Sequence, residues 1–584
     1  MPTSLVEAES LLSVDIGSVN TRVALFDVVD GRYRYLGSGI APTTAYAPYH
    51  DVGEGIRTAL DHLQLVTGRI LVGNDERLII PAKDDGSGVD ALVATLSAGP
   101  PLKVVALGLL ESVSLDSIRR LANTTYARVV DSISLNDRRK QEERIDLILR
   151  LRPDLVLAAG GTDHGASHSV MRLLEAVGMA SYLLPEDQRP DLLFAGNAAL
   201  EAEIRNSLGK WMHIHFADNV RPSLEVEQLE STQQRLTDIY RSVRSRKLSG
   251  VDELNTWAGG GLMPTAAAFG RVVRFLSRVY DAHKGVLGVD VGASATTLAA
   301  AFNADLQLKV YPQFGLGQSL TELVEHTSLE AIARWMYVEV SPNTLREYLY
   351  QKSLYPSSLP ATAEDLDIEQ SIARNLMQLA VSRAMGEFPA KIARSGVGLL
   401  PWFEPIVASG SVLTRAPNYA QSMLMILDGI QPTGVTTIVL DQNHISSALG
   451  AAAAVNPVLA VQVLETSTFQ NLGTVISPVG NARFGTPILR LRMVYEDGNE
   501  TPLEVRQGSI EVLPLPAGQT AKLHLTPLQR FEVGMGGSGR GGGLRVVGGA
   551  LGVVIDARGR PIRLPDDPGR RRELISKWRS ALSC

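Results

Sequence analysis

LLSVDIGSVNTRVALFDV, residues 11–28, and VLGVDVGASATTLAAAF, residues 286–302, are built on one plan. Each is an apolar run with β-branched residues, then Asp, an aliphatic residue, Gly, a small polar turn and a second apolar run. The pattern predicts a buried strand that ends on an acid, reverses through glycine and returns as its own hairpin partner. Glycine lets backbone pass close to a phosphate, and the turn amides can bind its oxygens. The strand-end carboxylates Asp15 and Asp290 suit Mg²⁺ held through water. Two such devices in one chain predict a duplicated fold with a nucleotide cleft between its halves.

Outward from the first hairpin, Asp30 and Gly31 form a tight-turn signal between VALFDVV and RYRYLGSGI. The segment 52–68 then has helical spacing, with Ile56, Leu60, Leu63 and Val66 on one stripe. From Lys103 strands and helices alternate: KVVALGLL, LDSIRRLANTT, ARVVDSIS, QEERIDLILRLR, DLVLAAGGTDHG, SVMRLLEAVG and DLLFAGNAALEAEI. This is a βαβ series, with a mostly parallel sheet and ligand-facing loops at the strand C-termini. GGGLMPTAAAF, residues 259–269, reads as a hinge-like loop entering a helix. EPIVASGSVLTRAPN, residues 404–418, is a strand running into another glycine turn, and SSALGAAAAVNP is a small-residue helix.

The expected organisation is therefore a first actin-like subdomain over 1–95, an α/β insertion over 96–220 and a helical connection over 221–284. A second actin-like subdomain follows over 285–457, and a C-terminal β-rich domain over 458–584. The last rests on the alternation in TPILRLRMVYEDG, TPLEVRQGSIEVLPL and TAKLHLTPL, with VVIDARGRPIRL as a further hairpin and RRRELISKWRSAL as a final basic helix. At 584 residues, about three or four domains fit the usual size limit.

Composition excludes several classes. The chain is 45% hydrophobic and 20% charged with net charge −6, which gives no nucleic-acid footprint. No stretch has the length and apolarity of a membrane span. The acidic start MPTSLVEAES lacks a basic leader, and the single cysteine, Cys584, leaves no disulfide framework, no thiolate zinc site and no iron–sulfur cluster. Cytoplasmic residence is the expectation. His213 and His215 alternate along WMHIHF without a third ligand nearby, so satisfied polar residues are the favoured reading over a metal pair. Asp163 and His164 can face a ligand or partner, or cap a helix.

Phosphoryl transfer in such a cleft needs a cation on the phosphates and a carboxylate that orients the attacking oxygen. Asp15 and Asp290 are the candidates for both roles. Gly17, Ser18 and Thr21 are expected in the first hairpin, Gly292, Ser294 and Thr296 in the second. Two positions depart from the usual pattern: Arg22 stands where Lys is common, and Ala293 where a second glycine is expected.

The series DIGSVNTRVALFDVVDGRYR, PDLVLAAGGTDHG, FAGNAALEAEI, GLMPTAAAF, VLGVDVGASATT and VASGSVLT resembles the glutamate mutase accessory (L component) family over roughly residues 11–455. That family belongs to the actin-like, sugar-kinase and heat-shock-70 ATPase superfamily. The resemblance implies ATP and Mg as cofactors, Asp15 and Asp290 as Mg-ATP residues, and Ser409 with Gly410 as adenosine contacts. It also implies a chaperone or reactivase whose partners are adenosylcobalamin-dependent mutase subunits. A slow ATPase, a homo-oligomer, a non-hydrolysing actin-like scaffold or filament, and a small-molecule kinase remain open as alternatives.

Overall fold

A computed structural model of the chain describes residues 9–163, 165, 167–389 and 392–583. His164, Cys584 and the first eight residues lie outside the described residues.

The first lobe is built around β1 (Leu11–Ile16), β2 (Asn20–Val29), β3 (Arg32–Pro42) and β4 (Ala91–Leu96), in sheet order β4-β1-β2-β3. β1 is antiparallel to β2 and parallel to β4, so it is covered on both sides and reads as an almost unbroken apolar run. The turn between β2 and β3 has Asp30 and Gly31 both in the left-handed region, φ 52° and 74°, as the tight-turn signal requires. Helix α1 (Gly53–Thr67) buries Ile56, Ala59, Leu60 and Leu63 against β3 and β2, while Val66 stays exposed.

The insertion carries β5 (Leu102–Gly108), α2 (Asp116–Ala122), β6 (Ala127–Ile133), α3 (Gln141–Leu151) and β7 (Leu155–Ala159). It continues with α4 (His168–Leu183), β8 (Asp191–Phe194), α5 (Glu201–Leu208) and β9 (Ile214–Phe216). The five strands are all parallel in the order β6-β5-β7-β8-β9. Next come α6 (Glu230–Lys247), α7 (Val251–Trp257), the short β10 (Met263–Pro264) beside β4, and α8 (Thr265–Val279).

The second lobe repeats the first. β11 (Gly285–Val291), β12 (Thr296–Phe302) and β13 (Asp305–Tyr311) form an antiparallel set. After α9 (Leu329–Ala333), α10 (Pro342–Leu354) and α11 (Ala363–Ala384), β14 (Phe403–Ser409) adds parallel to β11. α12 (Ser411–Thr414), α13 (Tyr419–Ile430), β15 (Gly434–Leu440), α14 (Ser446–Ala452) and α15 (Pro457–Leu464) complete it. The core order β13-β12-β11-β14 matches β3-β2-β1-β4 strand for strand. The architecture is α/β, a duplicated actin-like (ribonuclease H-like) fold with an α/β insertion. The small-residue helix α14 packs on α8 between the lobes.

The C-terminal region is β-rich, but its strands divide. β16 (Gln470–Ser477) pairs with β15, and the second sheet runs on through β22 (Val553–Asp556) to β19 (Ile510–Leu513). β17 (Pro487–Tyr495), β18 (Glu500–Arg506), β20 (Thr520–Pro527) and β21 (Gly542–Val547) form a separate four-stranded sheet. Leu489, Leu491 and Leu523 of this sheet share a core with Val435, Ile476 and Val553 of the large one. The boundary expected at 458 is thus not a boundary between sheets, and 553–564 supplies one strand rather than a hairpin. Period-two alternation identifies a strand without naming its neighbour. The final helix α16 (Pro568–Ala581) forms as expected.

Candidate nucleotide cleft

The two hairpins close in the same way. Gly17 N–H donates to Asn20 O at 2.9 Å, and Gly292 N–H donates to Ala295 O at 3.0 Å. In register, Asp15 faces Arg22 and Asp290 faces Thr297. Both hairpins line one cavity of about 420 Å³ between the lobes, within the usual range for a small-molecule site.

Among the expected residues, Asp15, Gly17, Ser18, Asp290, Gly292, Ser294, Ser409 and Gly410 line this cavity. Thr21 and Thr296 do not. They pair with Ile16 and Val291, so alternation turns them to the opposite face from the acids. Both are fully buried, and Thr296 Oγ1 donates to Phe314 O at 2.6 Å. The same alternation places Arg22 on the cavity side, which the sequence reading noted only as a departure. Gly410 sits at φ 102°, and a Cβ there would fall 2.3 Å from Val291 O, so only glycine lets β14 turn beneath the second hairpin. At Ala293 the extra methyl has room because Gly317 lies beside it; a Cβ at 317 would be 3.3 Å from that methyl.

Asp15 is fixed by two hydroxyls: Thr95 Oγ1 donates to its Oδ1 at 2.6 Å and Thr265 Oγ1 at 2.9 Å. Thr265 is the first residue of α8, from the stretch read as a hinge-like loop. A third acid, Asp441, follows β15. Its carboxylate accepts from Ile445 N–H at 2.9 Å, Ser446 N–H at 3.0 Å and Ser409 Oγ at 3.3 Å. The run TTIVLDQN, another apolar strand ending on Asp, was the readable sign of it. His444 Nε2 meets Thr414 Oγ1 at 2.8 Å, and burial together with Arg22 and Arg415 keeps the ring neutral. From the helical region, Lys352 reaches the cavity wall, paired with Glu369 at 2.9 Å.

Asp15, Asp290 and Asp441 share this cavity and repel one another. Burial, then Asp15 and Asp441, push the Asp290 carboxyl up to about 7, with Arg22 opposing. Burial likewise raises Asp441, against its backbone donors and Arg22. The Arg22 side chain is 9% exposed, and its Nε has no hydrogen-bond partner in the protein; neither has the buried Ser18 Oγ. Unsatisfied buried donors are rare because each costs about 1–3 kcal/mol. A phosphate oxygen supplies the acceptor they lack, and the acids suit a hard cation. The residues present therefore fit a magnesium nucleotide. Among the described residues there is no group of three or more His, Cys, Asp or Glu that could hold a metal ion.

Outside the cleft, His215 Nε2 contacts Asp191 Oδ2 at 3.2 Å, and Arg246 binds the same carboxylate at 3.0 Å, so that histidine is a satisfied polar group. Asp163 accepts from Asn219 Nδ2 at 2.9 Å, which ties its loop to the segment after β9. Asn197 accepts from Ala199 N–H at 3.1 Å, as a cap. Among the described residues no helix is long and apolar enough to cross a membrane.

The chain is 22% identical over 448 residues to Protein MutL of Clostridium tetanomorphum, covering 70% of this chain and 94% of that protein. Among solved structures it is similar to a diol dehydratase-reactivating factor in nucleotide-free form, at 11% identity, 76% and 99% coverage and a TM-score of 0.29. It is also similar to the ethanolamine utilization protein EutJ of Carboxydothermus hydrogenoformans, at 10% identity, 77% and 91% coverage and a TM-score of 0.22. The family model described as MutL protein matches residues 11–468, the two lobes with the insertion between them, and the chain belongs to that family.

Proposed function

We propose that this chain is an ATP-binding accessory protein that acts as chaperone or reactivating factor for an adenosylcobalamin-dependent mutase of the glutamate mutase type. The observation that carries the ATP reading is the unpartnered Arg22 Nε and Ser18 Oγ, buried in an acid-lined cavity between twin Asp–Gly hairpins. Membership of the MutL family and the resemblance of the motif series to the mutase accessory proteins supply the client.

ATP, when bound with magnesium, supplies a phosphoanhydride whose cleavage releases one closed state of the cleft. The hairpin-tip amides at 18–19 and 293–294, with Ser18, Ser294 and Arg22, would hold and neutralise phosphate oxygens. Asp15, locked by Thr95 and Thr265, and Asp290 hold the cation through water. Asp290, on the same cavity, would orient the attacking water at its carboxylate. Ser409 and Gly410 hold adenosine, and lobe closure is passed to the client.

Purified protein mixed with inactivated mutase, fresh adenosylcobalamin and Mg-ATP tests the role. Mutase activity should return, and should do so only with ATP present. Recovery that is absent, or equal without ATP, contradicts the reading.

A further inference from the structure

The second lobe and the tail form a cavity of about 600 Å³ that shares no lining residue with the nucleotide cleft. Its walls are α9 with the residues just after it, the second half of α11, and residues 562–564 of the tail. The volume is ordinary for a small-molecule site. The tail wall is fixed at both ends. Arg334 donates to Leu564 O at 3.0 Å and pairs with Asp566 at 3.2 Å, and Ile562 N–H donates to Gln431 Oε1 at 2.8 Å.

Asn375 of α11 lines this cavity and is only 4% exposed. Its Nδ2 donates to Ser371 O at 2.9 Å, which fixes the amide and leaves Oδ1 over. No donor reaches that oxygen among the described residues. Three residues on, Gln378 Nε2 donates to Asp428 O at 3.0 Å and leaves its Oε1 in the same state. Trp335, 7% exposed on the facing wall, has an indole N–H with no acceptor among the described residues. Arg563, exposed at the rim, has neither an ion pair nor a hydrogen bond among them. Two amide oxygens suit N–H donors, and the indole N–H and the unpaired guanidinium suit an anionic oxygen. Leu379, Ile562 and Leu564 between them offer aliphatic surface.

We infer that this cavity is a second ligand site, for a carboxylate with an N–H on the adjacent carbon and an aliphatic side chain. A free aliphatic amino acid and the C-terminal residue of a polypeptide share that end group. Arg563 and Trp335 take the carboxylate; Asn375 and Gln378 take the N–H. Residues 562–564 lie beyond the stretch 11–468 matched by the family model, so family membership does not supply this site.

Calorimetric titration of the full chain, without nucleotide, tests it with L-leucine, acetyl-Ala-Ala-Leu and the carboxamide of each. At least one carboxylate should saturate with Kd below about 1 mM. Tighter leucine names a free amino acid, and a tighter peptide names a chain end. The matching carboxamide should bind about tenfold or more weakly, because a charge-assisted contact is lost. Arg563→Gln, at an exposed position, should erase that preference. Asn375→Ala, well tolerated in a helix, should weaken the carboxylate by about threefold or more. No saturation by either carboxylate overturns the inference. So does a carboxylate preference that survives Arg563→Gln, or an affinity that Asn375→Ala leaves unchanged. With no nucleotide present, failure here leaves the ATP reading standing, and failure of ATP to bind leaves this site standing.

Discussion

Asp290 carries its carboxyl at about 7, because burial and the neighbouring Asp15 and Asp441 outweigh Arg22. In the unfolded chain the same group titrates near 4. A carboxyl raised on folding binds its proton more tightly in the native state, so it favours folding at low pH. That contribution is lost as pH rises from about 4 through about 7. In metal-free buffer Asp290→Asn should therefore stabilise the protein relative to wild type, increasingly from pH 5 to pH 8 and with no further gain above it. Denaturant midpoints at those values check it; a difference independent of pH contradicts the assignment. Gly410 gives a second test at this scale. With φ at 102° and Val291 O only 2.3 Å from any Cβ, Gly410→Ala should cost about 1–3 kcal/mol or more, read by chemical denaturation.

Among elements, the least replaceable junction joins the tail to the second lobe. Arg558, wholly buried, donates to Asp556 at 2.8 Å and to Asp428 of α13 at 2.5 Å, and lies 4.8 Å from the Trp578 ring of α16. Arg560 binds Asp556 at 2.8 Å, and Arg374 of α11 binds Asp428 at 2.8 Å. The two guanidiniums hold Asp556 well below the ordinary carboxylate range. Arg558→Met leaves carboxylates under-paired in the interior and should cost about 3–5 kcal/mol. A loss under about 1 kcal/mol by denaturation would contradict this picture of the junction. The elements themselves were largely legible: the hairpins from their Asp–Gly reversals, α1 and α4 from their periodicity. What was not legible is which elements meet. Thr21 and Thr296 looked like hairpin residues until register put them behind the sheets. Thr265 and Tyr126 reach the cleft over sequence separations that no local pattern encodes, and the tail strands alternate alike whether they join the large sheet or the small one.

At the scale of the whole molecule, two copies of one strand order face each other across a cavity lined by Asp15, Asp290 and Asp441 and by Arg22, whose Nε has no hydrogen-bond partner. The insertion and the tail hang on opposite parts of this frame, the insertion spanning both lobes and the tail extending the second. Calorimetric titration of Mg-ATP into the purified protein tests the central claim most directly. The account predicts saturable binding with Kd tighter than about 100 µM, weakened at least about tenfold in Asp15→Ala and in Asp290→Ala. No binding to wild type, or binding that both variants leave unchanged, would contradict it.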